Sequence, residues 1–249
     1  MLVSTKKLLG YELQAVDGEM GFAKDFLFDD EHWVIRYLVA DTGKWLTEQK
    51  VLISPMSLGR PDLNARKMKV NLTRDQIESA PPLKAHQPVS RQHEEALHEH
   101  YGFPYYWMGT GVWGMTSTPD ELRRESAAAT GLAVEETDGE RHLRSVQEVT
   151  GYHVQAVDDE VGHVESLILD DESFTIRYMV VDTRNWLPGR KVLLPPAWVE
   201  TFDWAENKAR VELTREQIEG SPEWDPSVPL ERVYEERLFD YYSRPSYWI

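Results

Sequence analysis

The sequence predicts a mainly β chain with short α-helices. It reads as two tandem small β-barrels, each followed by a helical tail. Three observations carry this reading. The chain repeats itself at one constant offset over nearly a hundred residues. Each copy divides into short apolar strands between turn signals. Each copy then closes with capped helical stretches and an aromatic–proline arm.

The repeat is the strongest of the three. Gly10-Tyr11-Glu12-Leu13-Gln14-Ala15-Val16-Asp17 returns as Gly151-Tyr152-His153-Val154-Gln155-Ala156-Val157-Asp158. Ile35-Arg36-Tyr37 returns as Ile176-Arg177-Tyr178, and Tyr106-Trp107 as Tyr247-Trp248. Between Gly10 and Trp107 the offset holds without a gap, with roughly 40 of about 98 positions identical. A period this long denotes two copies of a whole domain, not a short-repeat solenoid. The expected boundaries are residues 1–107 for the first domain, 108–143 for a linker and 144–249 for the second domain. The linker is polar toward its end and reads as a tether, with Thr118 and Pro119 placed to start a short helix.

The elements follow in order. Tyr11–Ala15 is a first strand and Asp17-Gly18 a hairpin-type turn. Gly21–Phe28 places Phe22, Phe26 and Phe28 on one face. Trp33–Asp41 is apolar on both faces, which marks a central strand. Lys50–Ser54 and Lys67–Leu72 complete the set. The second copy repeats these at Tyr152–Ala156, Gly162–Leu169, Phe174–Asp182, Lys191–Leu194 and Lys208–Leu213. So many short strands in so short a stretch suggest a closed barrel, because closure removes sheet edges. Thr73-Arg74-Asp75-Gln76 and Thr214-Arg215-Glu216-Gln217 fit capping boxes. The later helices carry apolar stripes at Val89, His93, Leu97 and Tyr101, and at Leu230, Tyr234, Leu238 and Tyr242.

Composition removes whole function classes. The net charge of −16 argues against a nucleic acid or an anionic lipid surface as the main partner. There is no cysteine, so thiol nucleophiles, zinc–thiolate sites and iron–sulfur clusters are excluded. No apolar run reaches the 18 or so residues of a transmembrane span, and the first residues lack a signal peptide's apolar stretch. A cytoplasmic protein, peripheral at most to a membrane complex, is the expectation.

Val16-Asp17-Gly18-Glu19-Met20-Gly21, Phe28-Asp29-Asp30, Val34-Ile35-Arg36-Tyr37-Leu38-Val39 and Lys50-Val51-Leu52-Ile53-Ser54-Pro55 together resemble the PRC-barrel family. The second copy is similar through Val157-Asp158-Asp159-Glu160-Val161-Gly162, Thr175-Ile176-Arg177-Tyr178-Met179-Val180 and Arg190-Lys191-Val192-Leu193-Leu194-Pro195. The resemblance covers both barrels. It implies a strongly bent β-barrel that docks onto other macromolecules and has no shared catalytic residues. One branch of that family is the cytoplasmic barrel of the photosynthetic reaction-centre H subunit, and another is a ribosome-maturation factor. The resemblance therefore implies a non-enzymatic interaction or assembly module, with a reaction-centre or electron-transport link as one setting and a ribosome-maturation adaptor as another. The rival from a different class is a hydrolase with a carboxylate site between the domains.

The candidate sites are few. His93 and His98 are five residues apart, which is wrong for a zinc-protease helix, and neither recurs in the second copy. His93 is expected to pack like an aromatic and His98 to act as a helix C-terminal charge. Asp29-Asp30-Glu31 and Asp170-Asp171-Glu172 read as solvated turns in preference to cation sites. No catalytic residue, metal or cofactor is expected. Arg36 and Arg177 lie in the most apolar strands and need acceptors. An internal pair with a carboxylate such as Asp17 or Asp41 is favoured over an interface anchor. Trp45 and Trp186 sit in a loop, where a small core beneath it is slightly favoured over a binding surface. Tyr105, Tyr106, Trp107, Tyr247 and Trp248 are too many to leave in water and should pack on a barrel. The candidate interface set is thus Arg36, Trp45, Tyr106, Trp107, Arg177, Trp186, Tyr247 and Trp248. The expected partner is a protein, with the two domains in a pseudo-twofold pair; a homo-oligomer is compatible with the sequence.

Overall fold

The computed structural model describes residues 1–43, 45–46, 50–84, 87–126, 143–183 and 190–248. Its elements, in chain order, begin with β1 (Leu2–Ser4), α1 (Thr5–Leu8), β2 (Glu12–Ala15), β3 (Gly18–Asp29), β4 (Val34–Asp41), β5 (Val51–Ile53) and β6 (Lys67–Lys69). The first tail is α2 (Arg74–Glu78) and α3 (Arg91–Tyr101), followed by α4 (Pro119–Ser126). Then come β7 (Leu143–Ser145), α5 (Val146–Val149), β8 (His153–Gln155), β9 (Glu160–Asp170), β10 (Ile176–Asp182), β11 (Lys191–Leu194), β12 (Val199–Asp203) and β13 (Lys208–Val211). The second tail is α6 (Arg215–Glu219) and α7 (Arg232–Tyr242). The chain is mainly β, in two sheets with short helices, as its sequence predicts.

The chain forms two compact units, neither of which is one continuous stretch. The first contains Met1, Lys7–Ser145 and Asp170–Thr175; the second contains Leu2–Lys6, Val146–Leu169 and Ile176–Ile249.

In the first unit the sheet runs β5-β4-β3-β2-β6, with β7 added on β3. All pairs are antiparallel except β2–β6, which is parallel. A bridge at Leu58–Val70 and a bond from the Gly59 amide to the Lys69 carbonyl (2.8 Å) carry the chain after β5 back onto the β6 side. The long strand β3 bends at register shifts between Ala23 and Asp25 and between Leu27 and Phe28. The first shift explains one departure from simple alternation. Phe26 and Phe28 are fully buried, whereas Phe22, expected on their face, lies before the bulge and is 55% exposed.

Strand β4 is central, as its two-faced apolar pattern demands. Phe26, Leu38 and Ile53 are successive partners across β3, β4 and β5 and are wholly buried on one face. Leu27, Tyr37, Val39 and Leu52 form the core of the other face with Leu83 of the tail and Leu97 of α3. Burying each such side chain contributes roughly 1.5–3 kcal/mol. Both capping boxes form: Thr73 accepts the Gln76 amide at 3.2 Å, and Thr214 accepts the Gln217 amide at 3.2 Å.

The second unit repeats the order as β11-β10-β9-β8-β13-β12, with β1 on β9. The residues that reach across to pair β12 with β13 begin with Val199–Val211, the counterpart of Leu58–Val70. β1 and β7 are also counterparts under the repeat offset. Each is built into the unit that holds the other copy's sheet. In the second unit Ser4 Oγ lies 3.2 Å from Ser166 Oγ, and the Thr5 hydroxyl donates to the Leu167 carbonyl at 3.1 Å. In the first, Ser145 Oγ donates to Asp25 at 2.5 Å.

Unusual backbone recurs in step. Gly21 (φ +128°) and Gly162 (φ +145°) let β3 and β9 touch the end of the neighbouring strand. An added Cβ would stand 2.0 Å from the Asp41 carbonyl oxygen and 2.1 Å from that of Asp182. Gly102 ends α3 in the left-handed region, and its counterpart after α7 is Ser243 at φ 51°. Urea unfolding should therefore show Gly21→Ala and Gly162→Ala each destabilised by at least about 2 kcal/mol. Ser243→Gly should gain roughly 0.5–1 kcal/mol by removing left-handed strain at a helix end.

Candidate functional site

Each tail helix aims a carboxylate at its own sheet. In the first unit Glu94, on α3, is 2% exposed. Its Oε1 accepts the Tyr106 hydroxyl at 2.6 Å, and its Oε2 pairs with Arg91 at 2.9 Å, one turn earlier on the helix. Burial pushes the Glu94 carboxyl above the ordinary carboxylate range, partly offset by Arg91 and Tyr106. The second unit repeats the set. Glu235 accepts the hydroxyls of Tyr178 and Tyr247, each at 2.7 Å, and pairs with Arg232 at 3.1 Å. The following tryptophan lies under that arginine in both copies: Arg91 is 4.0 Å from the Trp107 ring and Arg232 4.0 Å from the Trp248 ring. With both oxygens engaged, these carboxylates fasten helix, strand and arm together.

The strand arginine sits on the other side of the arm tyrosine. Arg36 is 2% exposed, with its guanidinium 4.0 Å from the Tyr106 ring and 4.8 Å from the Trp113 ring. It donates to Asp29 Oδ2 at 2.9 Å and to the Val112 carbonyl at 2.6 Å. The expectation of an internal carboxylate pair holds in kind, but the partner differs from those expected. Asp17 accepts the Arg74 amide at the start of α2, and Asp41 accepts the Gly43 amide. Asp29 is thus not a solvated turn residue. It is buried, and it also accepts the Glu31 and His32 amides at 2.9 and 3.1 Å. Burial alone would raise its pKa; the Arg36 charge and these hydrogen bonds outweigh that and lower it. Asp29, Glu31 and His32 come close enough to hold a cation, but Asp29 already gives both its oxygens to protein donors.

Arg177 shares the stacking and not the pairing. Its guanidinium is 4.2 Å from the Tyr247 ring, and among the described residues it has no carboxylate partner. The Asp170 carboxylate instead accepts the Glu172 and Ser173 amides at 2.8 and 3.3 Å, as an acidic turn should, but Asp171, expected to be solvated with it, is buried and pairs with the Met1 amino group.

The segment read as a tether is structured in its first part. Gly111 and Gly114 pair with each other, and Trp113 pairs with Thr116, so that Trp113 is driven fully into the first unit. Its indole donates to the Ser173 carbonyl at 2.7 Å. Thr118 accepts the Glu121 amide at 3.2 Å and starts α4.

The other candidates divide. Tyr106 and Trp107 are buried, at 3% and 7% exposure. Tyr247, expected to be buried with them, is 38% exposed, and Trp248 is half-buried. Trp45 is half-buried with the Arg74 guanidinium 4.6 Å from its ring, and Trp186 lies outside the described residues. His98 corrects the sequence reading: it is no helix-end charge but 1% exposed and neutral. Its Nδ1 donates to the Pro104 carbonyl at 2.7 Å, and its Nε2 accepts from Tyr37 at 3.2 Å. Phe239 replaces it in the second copy, where the Tyr178 hydroxyl donates to Glu235, as Tyr37 also hydrogen-bonds Glu94. His93 lines a small cleft with Lys50, Ile77, Leu97 and Tyr101.

With this geometry in view, comparison with known protein families gives a match. The profile of the PRC-barrel domain matches residues 143–218, which places that domain in the second copy. No curated protein matches the chain. Among the described residues no helix is long and apolar enough to cross a membrane.

Two measurements check the site. Burial holds the His98 pKa down at about 4, against an ordinary 6.5. The unfolded chain therefore binds the extra proton first as pH falls. Stability attributable to His98 is complete above about pH 6.5 and is lost toward pH 4, by roughly 3 kcal/mol in all. His98→Phe, the residue of the second copy, should flatten that part of the stability–pH curve relative to the parent. Trp107→Ala should cost about 3–5 kcal/mol and Trp248→Ala less, because Trp248 is only half-buried.

Proposed function

We propose that this is a tandem PRC-barrel protein that works without catalysis, as a protein-interaction and assembly module. The observation that carries the reading is the fate of the titratable groups. Glu94 and Glu235 are the most deeply buried carboxylates of the two tails, and each is consumed by tyrosine and arginine donors that hold the arm on the sheet. A general acid or base needs a face open to substrate; here that face is closed by the protein's own side chains. PRC-barrel domains generally serve as non-enzymatic modules, and the match in the second copy supports the same role for its repeat partner. The recurring strand order supports treating both copies as one kind of domain. The acidic surface favours a protein partner over nucleic acid.

The test is capture of the full chain from its native cell, identification of what accompanies it, and reconstitution from purified components. A stoichiometric complex that reassembles is the expected result. A chain that stays alone under native conditions, or one whose turnover of a substrate is abolished by Glu94→Gln and Glu235→Gln, would overturn the reading.

A further inference from the structure

One pair of paired-strand positions differs between the copies in a way that adds chemistry. His153 on β8 and His163 on β9 are direct partners in an antiparallel pair, so their side chains lie on one face of the sheet. That face is open. His153 is exposed and His163 half-buried, whereas Tyr152, Val154 and Val164, which alternate with them, are buried. The His153 amide donates to the Asn207 carbonyl at 2.9 Å, away from β9. The two histidines are thus a non-hydrogen-bonded pair, the kind whose Cα atoms lie about 4.5 Å apart and whose side chains come closest. In the first copy the same positions hold Glu12 and Phe22. The pair escapes a sequence reading because the histidines are ten residues apart and meet only through the strand pairing.

The surroundings suit a cation. Glu160 Oε1 lies 3.0 Å from His153 Nδ1. A carboxylate on that nitrogen fixes the ring's tautomer and orientation and leaves Nε2 to act as a donor to a metal. Among the described residues the His163 ring makes no hydrogen bond. Asp182, the direct partner of His163 on β10, puts a second carboxyl group beside the pair. The lysines in the same row are engaged elsewhere. Lys208, opposite His153, pairs with Glu206 at 2.9 Å, and Lys191, opposite Asp182, pairs with Glu165 at 2.5 Å.

We propose that His153 and His163 form a binding site for one divalent transition-metal ion of the zinc class, held by an imidazole nitrogen from each ring. Imidazole suits zinc, with bonds of about 2.0–2.1 Å, whereas magnesium and calcium require a shell of oxygens that this pair does not supply. Two rings on directly opposed residues of a sheet can share one ion without moving the backbone. They fill half of a tetrahedral shell, and the other half is left to water or to a donor from outside. The site goes beyond the interaction-module reading and does not depend on it.

The probe is zinc chloride, titrated by calorimetry into the full chain without a histidine tag, in a buffer that does not bind metal. One saturable site per chain is expected, undisturbed by excess magnesium. His163→Phe, which installs the residue of the first copy, and His153→Gln should each bind at least tenfold more weakly. His32→Gln, which removes the ring beside Asp29 and Glu31, should bind like the parent. Circular dichroism confirms that each variant is folded. Should one not fold, nuclear magnetic resonance of the parent decides, since zinc must move the assigned ring signals of His153 and His163 ahead of those of other histidines. Absence of saturation at millimolar zinc, parent-like affinity in either His153→Gln or His163→Phe, or a loss that follows His32 overturns the proposal. A chain that fails the zinc titration and still reassembles its native complex loses this site and keeps its role as a module.

Discussion

A carboxylate taken out of water holds each tail to its sheet. Removing such a group from water costs several kcal/mol unless its partners are well placed. Glu94 and Glu235 meet that cost with an arginine one turn earlier on the same helix and a tyrosine twelve residues later on the arm. The central strand joins in through its tyrosine in both copies: Tyr178 donates to Glu235, and Tyr37, which also meets His98, hydrogen-bonds Glu94. The position of the arm follows from this. Once the tyrosine hydroxyl is fixed, its ring becomes the surface on which the strand arginine lies, and the next residue's indole falls under the helix arginine. A small β-sheet buries too little surface to be secure alone; the helix lent by the tail supplies its second apolar face.

The two copies diverge where this frame leaves freedom. Histidine against phenylalanine at the same helix position gives Tyr37 a second side-chain partner that Tyr178 lacks at that position. Asp29 is spent on Arg36, whereas Asp170 is spent on its own turn. The outcome is one arginine bonded to a carboxylate and a carbonyl as well as stacked, and another that is stacked on an aromatic ring, while the Nε of each lacks a hydrogen-bond partner. The fastening carboxylate is retained in both copies.

Most of the architecture was legible because the repeat doubled every signal. The central strand announced itself by apolar residues on both faces, and the capping boxes by threonine and glutamine three apart. The short strands Leu2–Ser4 and Leu143–Ser145 were not legible, since three residues carry no period. Val199–Asp203 was missed because it follows a proline-rich turn and none of its residues is fully buried. At the site, the arginines and the arm aromatics stood out by type. The carboxylates did not, although a signal existed. Arg91, Glu94, Glu95, Leu97 and Tyr101 recur as Arg232, Glu235, Glu236, Leu238 and Tyr242 in helices whose remaining residues differ. The pairing of Arg36 with Asp29 was beyond reach, since it depends on a bend in β3 that no composition rule places.

The lending of β1 and β7 changes what a part of this protein would be. A cut in residues 127–142 does not yield two self-sufficient halves, because each half leaves with a strand that completes the other's sheet. A single copy produced alone exposes the flank of β3 or β9 to solvent, a row of unpaired backbone groups of the kind that recruits another chain. Two such fragments satisfy one another by trading their leading strands. Duplication on one polypeptide turns that concentration-dependent exchange into an intramolecular one, so the tandem chain keeps its sheets complete at any dilution.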